Sequence, residues 1–171
     1  MNRNVEIKAK VRDRSTLFAR AQEIADADPI QILQDDTFFA CSNGRLKLRV
    51  FSESQGELIF YRRPDSAAPK ESQYVVTPIA CPLELRKTLI AALGKCGRVL
   101  KRRTLFHVGR TSIHIDQVEG LGDFVELEVV LSENEATEDG AVVARNLMQQ
   151  LGISEQDLID KAYVDLLDET I

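Results

Sequence analysis

The sequence predicts an α+β protein built mainly from antiparallel strands. About eight short segments alternate polar and apolar residues with a period of two. Helical segments interrupt them only twice and otherwise follow them, so the regular strand–helix alternation of a parallel α/β fold is missing. Asn43-Gly44 and Gly109 fall between consecutive strand-like segments, where hairpins turn. At 171 residues, with 44% hydrophobic content, the chain suits a single domain spanning 1–171 with a genuine core.

Residues 4–11 read as the first strand, with Asn4, Glu6, Lys8 and Lys10 on one face and Val5, Ile7, Ala9 and Val11 on the other. Residues 13–27 read as a helix. Asp13 is placed to cap it, Leu17, Ala21 and Ile24 form an apolar stripe, and Asp28-Pro29 ends it. Residues 30–40 form a strand, Asn43-Gly44 a turn, and 45–51 and 56–64 the two arms of a hairpin. A loop over 65–72 leads to a short strand at 72–77. Residues 82–93 are helical, with Pro82 in the first turn and Gly94 as the stop. Residues 99–108 and 111–118 form a second hairpin, and 120–131 hold a long strand after a glycine-rich turn. An amphipathic helix covers 135–151 despite Gly140, and 154–167 read as a short helix with a tail.

Composition narrows the function classes. No apolar run approaches the roughly 20 residues of a membrane span. The N-terminus turns charged within a few residues, unlike a signal peptide, so a cytoplasmic location is expected. Cys41, Cys81 and Cys96 lack the close spacing of a zinc knuckle or disulfide framework and read as reduced thiols. A net charge of −5 argues against nucleic acid as a partner. No Trp and 6% aromatic content provide no stacking platform for single strands.

Charged side chains recur on one face of several strands. Lys8, Lys10, Arg45, Lys47, Arg49, Arg62, Lys101 and Arg103 accompany Glu6, Asp116, Glu126 and Glu128. Two arrangements hold such a pattern. In an open sheet the charged face meets water. In a closed barrel the charges point inward and the apolar face outside carries the helices. A water-facing sheet gives no reason to gather cations in an acidic protein. Enclosed cations repel one another and suffer desolvation, so they call for a compact anion. A triphosphate qualifies, and the carboxylates suit hard Mg²⁺ or Mn²⁺ ions.

The chain resembles the CYTH superfamily, which takes in class IV adenylyl cyclases, thiamine triphosphatases and inorganic triphosphatases. The family's Glu-x-Glu-x-Lys signature is similar to Asn4-Val5-Glu6-Ile7-Lys8, with Asn in place of the first Glu. Its basic pairs resemble Lys47-Leu48-Arg49 and Lys101-Arg102-Arg103, its lone strand-end base Arg62, and its C-terminal carboxylates Asp116 and Glu126-Leu127-Glu128. The segment GLGDFVELEV looks like the cyclase and bacterial branch, and AYVDLL like the closing segment. The likeness covers almost the whole chain. It implies a triphosphate tunnel, that is, a closed barrel of eight antiparallel strands with helices packed on its outside.

The resemblance also implies roles. Lys8, Lys47, Arg49, Arg62, Lys101 and Arg103 are expected phosphate clamps, with Lys10 and Arg45 further substrate-binding candidates. Glu6, Asp116, Glu126 and Glu128 are expected metal ligands, with salt bridges inside the tunnel as their alternative. Glu6 and Lys8 are expected to serve catalysis. Lys161 and Tyr163 are expected to close the pocket or help to activate water. His114 shares the parity of Asp116 and reads as structural.

Metal-dependent hydrolysis of tripolyphosphate, thiamine triphosphate or ATP is the leading reading. Cyclisation of ATP and non-catalytic binding of a polyphosphate or triphosphorylated metabolite are the alternatives. A homodimer is expected only by analogy. Replacing Glu128 or Arg103 by Ala is expected to abolish turnover and leave the fold largely intact.

Overall fold

The computed structural model describes residues 1–169. In chain order the elements are β1 (Asn2–Lys10), α1 (Arg14–Ile24), β2 (Ile30–Phe39), β3 (Arg45–Ser52), β4 (Gln55–Arg62) and β5 (Lys70–Ile79). They continue with α2 (Pro82–Leu93), β6 (Lys95–Val108), β7 (Thr111–Val118), β8 (Gly122–Val130), α3 (Thr137–Leu151), a 3₁₀ turn at Glu155–Asp157, and α4 (Tyr163–Asp168).

The eight strands close into one barrel in the order β1-β5-β4-β3-β2-β6-β7-β8, with β8 pairing back onto β1. All pairings are antiparallel. Closure lengthens the strands relative to the sequence expectation, because each backbone finds a partner on both sides. β5 runs from Lys70 to Ile79 rather than 72–77, and even Pro78 keeps its place opposite Glu57. β6 begins at Lys95 rather than at residue 99 and follows β2 through a bulge at Phe38/Phe39.

The packing is inside out relative to an ordinary small barrel. Val5, Ile7 and Ala9 of β1, Ile113 and Ile115 of β7, and Val125, Leu127 and Val129 of β8 point outward and are buried. They pack beneath Leu17 and Ala21 of α1 and Ala144, Leu147, Met148 and Leu151 of α3. Period-two strands therefore present their apolar parity to period-3.6 helices, and the charged parity is left for the interior. Gly140 explains how α3 reaches the wall. A Cβ there would stand 2.6 Å from Leu131 Cδ2 and 2.8 Å from Val5 Cγ2. On the far side α2 covers Phe39, Leu48 and Val50 with Leu85 and Leu89.

The C-terminal segment stoppers one end of the barrel. Ala162, Tyr163 and Val164 pack against Phe38, Val99, Val118 and Phe124, and a side chain at Gly97 would collide with Val164. Arg45 fastens the stopper through a bidentate pair with Asp165, at 2.9 and 2.7 Å. Among the described residues, no helix is long and apolar enough to cross a membrane.

Candidate active site

Alternation places the charged parity of β1, β3, β6 and β8 around a cavity of about 300 Å³. Lys8, Lys47, Arg49, Lys101 and Arg103 line it, as do Glu6, Glu126 and Glu128. Arg63 joins them from just beyond β4. At the stoppered end the Tyr163 hydroxyl donates to Asp116 Oδ2 at 3.1 Å. Lys8 Nζ stands 3.7 Å above the Tyr163 ring and donates to the Lys161 carbonyl at 3.3 Å. At the other end the lining turns apolar, with Ile32, Leu105, Tyr74 and Val76.

Inside, bases and acids pair with one another. Arg103 Nε and Nη2 donate to the two oxygens of Asp116 at 2.7 and 2.6 Å, and Nη2 also reaches Glu126 Oε2 at 2.6 Å. Lys8 Nζ lies 3.2 Å from Glu126 Oε1. Arg63 Nη1 donates to Glu6 Oε1 at 2.6 Å. Asp36 receives Arg49 at 2.8 and 2.9 Å, Lys47 at 3.1 Å and Lys101 at 3.4 Å. Glu128 makes no hydrogen bond among the described residues and stands 3.7 Å from His114 Nδ1.

Burial and pairing set the charge states. Burial alone pushes Glu126 up, but Lys8, Arg103 and Lys101 outweigh it and hold the carboxyl well below its ordinary range. Burial likewise opposes the ionised Asp36, and Arg49, Lys47 and Lys101 overcome it. Glu6 goes the other way: burial raises it despite Arg63. Burial pulls the Lys101 ammonium down to about 7; Asp36 opposes that shift, while Arg103 and Arg49 add to it.

The unfolded chain, with Lys101 near 10.5, binds this proton more readily than the native state between about pH 7 and 10.5. The ligand-free protein is therefore expected to gain stability from Lys101 as pH rises through that window. Thermal unfolding at pH 7 and pH 9 checks this. Lys101→Met should flatten the gain, and an identical pH response in both proteins would contradict it.

The cavity does not take in every residue singled out from the sequence. Arg62 is exposed, and its Nε donates to the Asn43 carbonyl at 2.7 Å. Its parity is that of outward Leu58 and Phe60, and Arg63 enters the cavity in its place. Lys10 is exposed at the end of β1. Lys161 is half-buried, and its side chain pairs with Glu169 instead of lining the cavity. Arg45 pairs with Asp165 instead of facing the cavity. Asp116 is fully buried behind Arg103 with both oxygens engaged.

Sequence reasoning missed Asp36, Arg63 and Glu57. Asp35 and Asp36 are adjacent, so alternation demands that one face in and one out. Asp35 turns out to Arg86 and Arg98, a choice β2 alone does not reveal. For Arg63 a signal existed, since Leu58 and Phe60 already marked the opposite parity as outward.

A divalent ion, which the fold family implies, finds suitable donors. His114 Nδ1 and one carboxylate oxygen each of Glu126 and Glu128 lie within 4.8 Å of one another. Glu6 sits opposite Glu128 across the β1–β8 pair. His114 Nδ1 and Asn4 Oδ1 are both buried without a hydrogen-bond partner. Both residues line the cavity. Orphaned donor atoms beside free or shared carboxylates are what an ion would satisfy.

The CYTH domain family matches residues 2–163. The chain belongs to this family. Over 169 residues it is 22% identical to a candidate adenylate cyclase of Methanocaldococcus jannaschii, covering 95% of this chain and 97% of that one. The PH1012 protein of Pyrococcus horikoshii shares the fold with a TM-score of 0.81 at 22% identity, covering 95% of this chain and 98% of that one. HpAC1 from Hippeastrum, named a candidate adenylyl cyclase with a dominant triphosphatase activity, aligns with a TM-score of 0.65 at 14% identity, covering 98% and 96%. Asn4, the neutral residue at the start of Asn4-Val5-Glu6-Ile7-Lys8, lines the cavity of this CYTH protein beside Glu6 and Lys8.

Proposed function

We propose that this CYTH protein hydrolyses a triphosphate whose phosphoryl chain lies in the barrel interior, with Mg²⁺ or Mn²⁺ as cofactor. The observation that carries the reading is the convergence of Lys8, Lys47, Arg49, Arg63, Lys101 and Arg103 on one blind cavity. Guanidinium and ammonium groups held in a desolvated site bind phosphoryl oxygens strongly and neutralise charge developing on the transferring group.

Glu128, Glu126, Glu6 and His114 are the residues that would hold the ion, with Asn4 Oδ1 as a neutral further donor. When bound, the ion polarises a phosphoryl oxygen and lowers the pKa of a coordinated water. The charge balance supports its need: six basic side chains and five carboxylates line the cavity, so the cations alone leave little net positive charge for a triphosphate. Tyr163 closes one end against bulk water, leaving the end lined by Glu57, Ile32 and Val76 for entry.

Cyclisation of ATP is the second reading. The apolar side chains Ile32, Leu105, Tyr74 and Val76 favour it by offering a surface to an organic group, and the archaeal relative's name points the same way.

Incubation with tripolyphosphate, thiamine triphosphate and ATP, with Mg²⁺, Mn²⁺ or EDTA, separates the readings. Orthophosphate released only with metal is the expected product. Cyclic AMP with pyrophosphate would favour cyclisation. Neither product, together with a rise in Tm on adding triphosphate, would leave a binding protein.

A further inference from the structure

Asp36 is a carboxylate that none of these roles uses. It is 1% exposed on the inner face of β2, opposite Arg49 of β3 and Val99 of β6. Arg49 grips both of its oxygens, and Lys47 and Lys101 reach Oδ2 from either side. Half of the cavity's bases are thereby committed to one internal anion. The rest are committed too: Lys8 and Arg103 to Glu126 and Asp116, Arg63 to Glu6. An incoming anion finds no idle cation among them and must draw each base away from a carboxylate.

We propose that Asp36 is an internal counter-anion that sets the charge a ligand needs, so that the cavity takes a chain of three phosphoryl groups and rejects orthophosphate and pyrophosphate. This rests on the reading of the cavity as a triphosphate site. A short anion exchanges one carboxylate partner for another and stays beside the fixed Asp36 charge, so it gains little. A chain of three phosphoryl groups reaches the Asp36-held set and the Lys8–Arg103 set together. Its added charge then overcomes the repulsion. Once the chain is cut, each fragment falls back below the threshold, and Asp36 reclaims Arg49, Lys47 and Lys101. Asp36 is thus a specificity residue that acts through the three bases it holds.

The test is calorimetric binding of orthophosphate, pyrophosphate and tripolyphosphate, in EDTA and with Mg²⁺. The wild type should bind tripolyphosphate and discriminate against the shorter anions. Asp36→Asn should bind the shorter anions at least about tenfold tighter, with a smaller gain for tripolyphosphate, so that discrimination falls. That variant leaves three cations without their counter-ion and risks unfolding. The charge-conserving variant Asp36→Glu keeps a counter-ion beside Arg49, Lys47 and Lys101 and should keep the wild-type preference. Unchanged discrimination in Asp36→Asn, or lost discrimination in Asp36→Glu, overturns the role of Asp36. A wild type that binds tripolyphosphate in neither condition overturns the triphosphate reading itself.

Discussion

Replacing Arg103 by alanine is expected to cost about 3–5 kcal/mol of folding free energy as well as ligand binding. Arg103 lies within the barrel wall with 4% exposure and donates to both oxygens of Asp116 and to Glu126. Asp116 has 0% exposure, and its other neighbour is the neutral Tyr163 hydroxyl. Removing the guanidinium leaves a buried carboxylate with no paired cation, and that penalty exceeds the worth of the bridge itself. In a chain of this size the loss corresponds to a fall in Tm of about 6–20 °C. Differential scanning calorimetry of Arg103→Ala reads it directly, and a Tm within a degree or two of wild type would show that Asp116 is not held as described. The sequence alone suggested a variant that folds normally and fails only in turnover. The fully enclosed Asp116 is what changes the expectation.

Glu128→Ala is expected to behave in the opposite way. Its side chain is 35% exposed and makes no ion pair except the approach of His114 at 3.7 Å. Nothing buried loses its partner, so stability should change by no more than about 0.5 kcal/mol. As a candidate ligand it should matter a great deal to activity. Losing even an outer partner of a metal site typically costs 10–100-fold, and loss of a donor should cost at least about 100-fold in turnover. Two measurements separate the roles. Tm without ligand should stay near wild type, while turnover and metal affinity fall together. Wild-type metal affinity with reduced turnover would remove Glu128 from the ligand set. Together the two variants divide the cavity into a wall that holds the barrel and a face that meets the ligand.

The sites where sequence reasoning stopped short have three physical causes. Alternation is decisive where polar and apolar residues truly alternate, as in Glu6-Ile7-Lys8 and Glu126-Leu127-Glu128. It is silent where two like residues adjoin. Asp35-Asp36 is such a pair, and a one-residue choice sends a side chain to the opposite face; at Arg62-Arg63 only the more distant Leu58 and Phe60 carry the parity. Lys10, Arg45 and Lys161 show a second cause. Each lies at or beyond an element's end, where parity no longer states whether the cavity is still alongside. Asp116 shows a third. Its parity is inward, but its depth relative to Arg103 and Tyr163 depends on strands and a helix far away in the chain.

By itself the sequence determined which segments are strands and helices, and which parity of each strand is charged. Those features follow from local backbone geometry and the spacing of side chains. The family resemblance implied that the charged parity closes on itself, and the barrel bears this out; tertiary structure alone decided that Asp36 and Arg63 enter the cavity, and that Asp116 pairs with Arg103. Each of these depends on distances between residues from different strands. Those distances exist only once β8 meets β1 and the C-terminal stopper seats Tyr163 against the barrel.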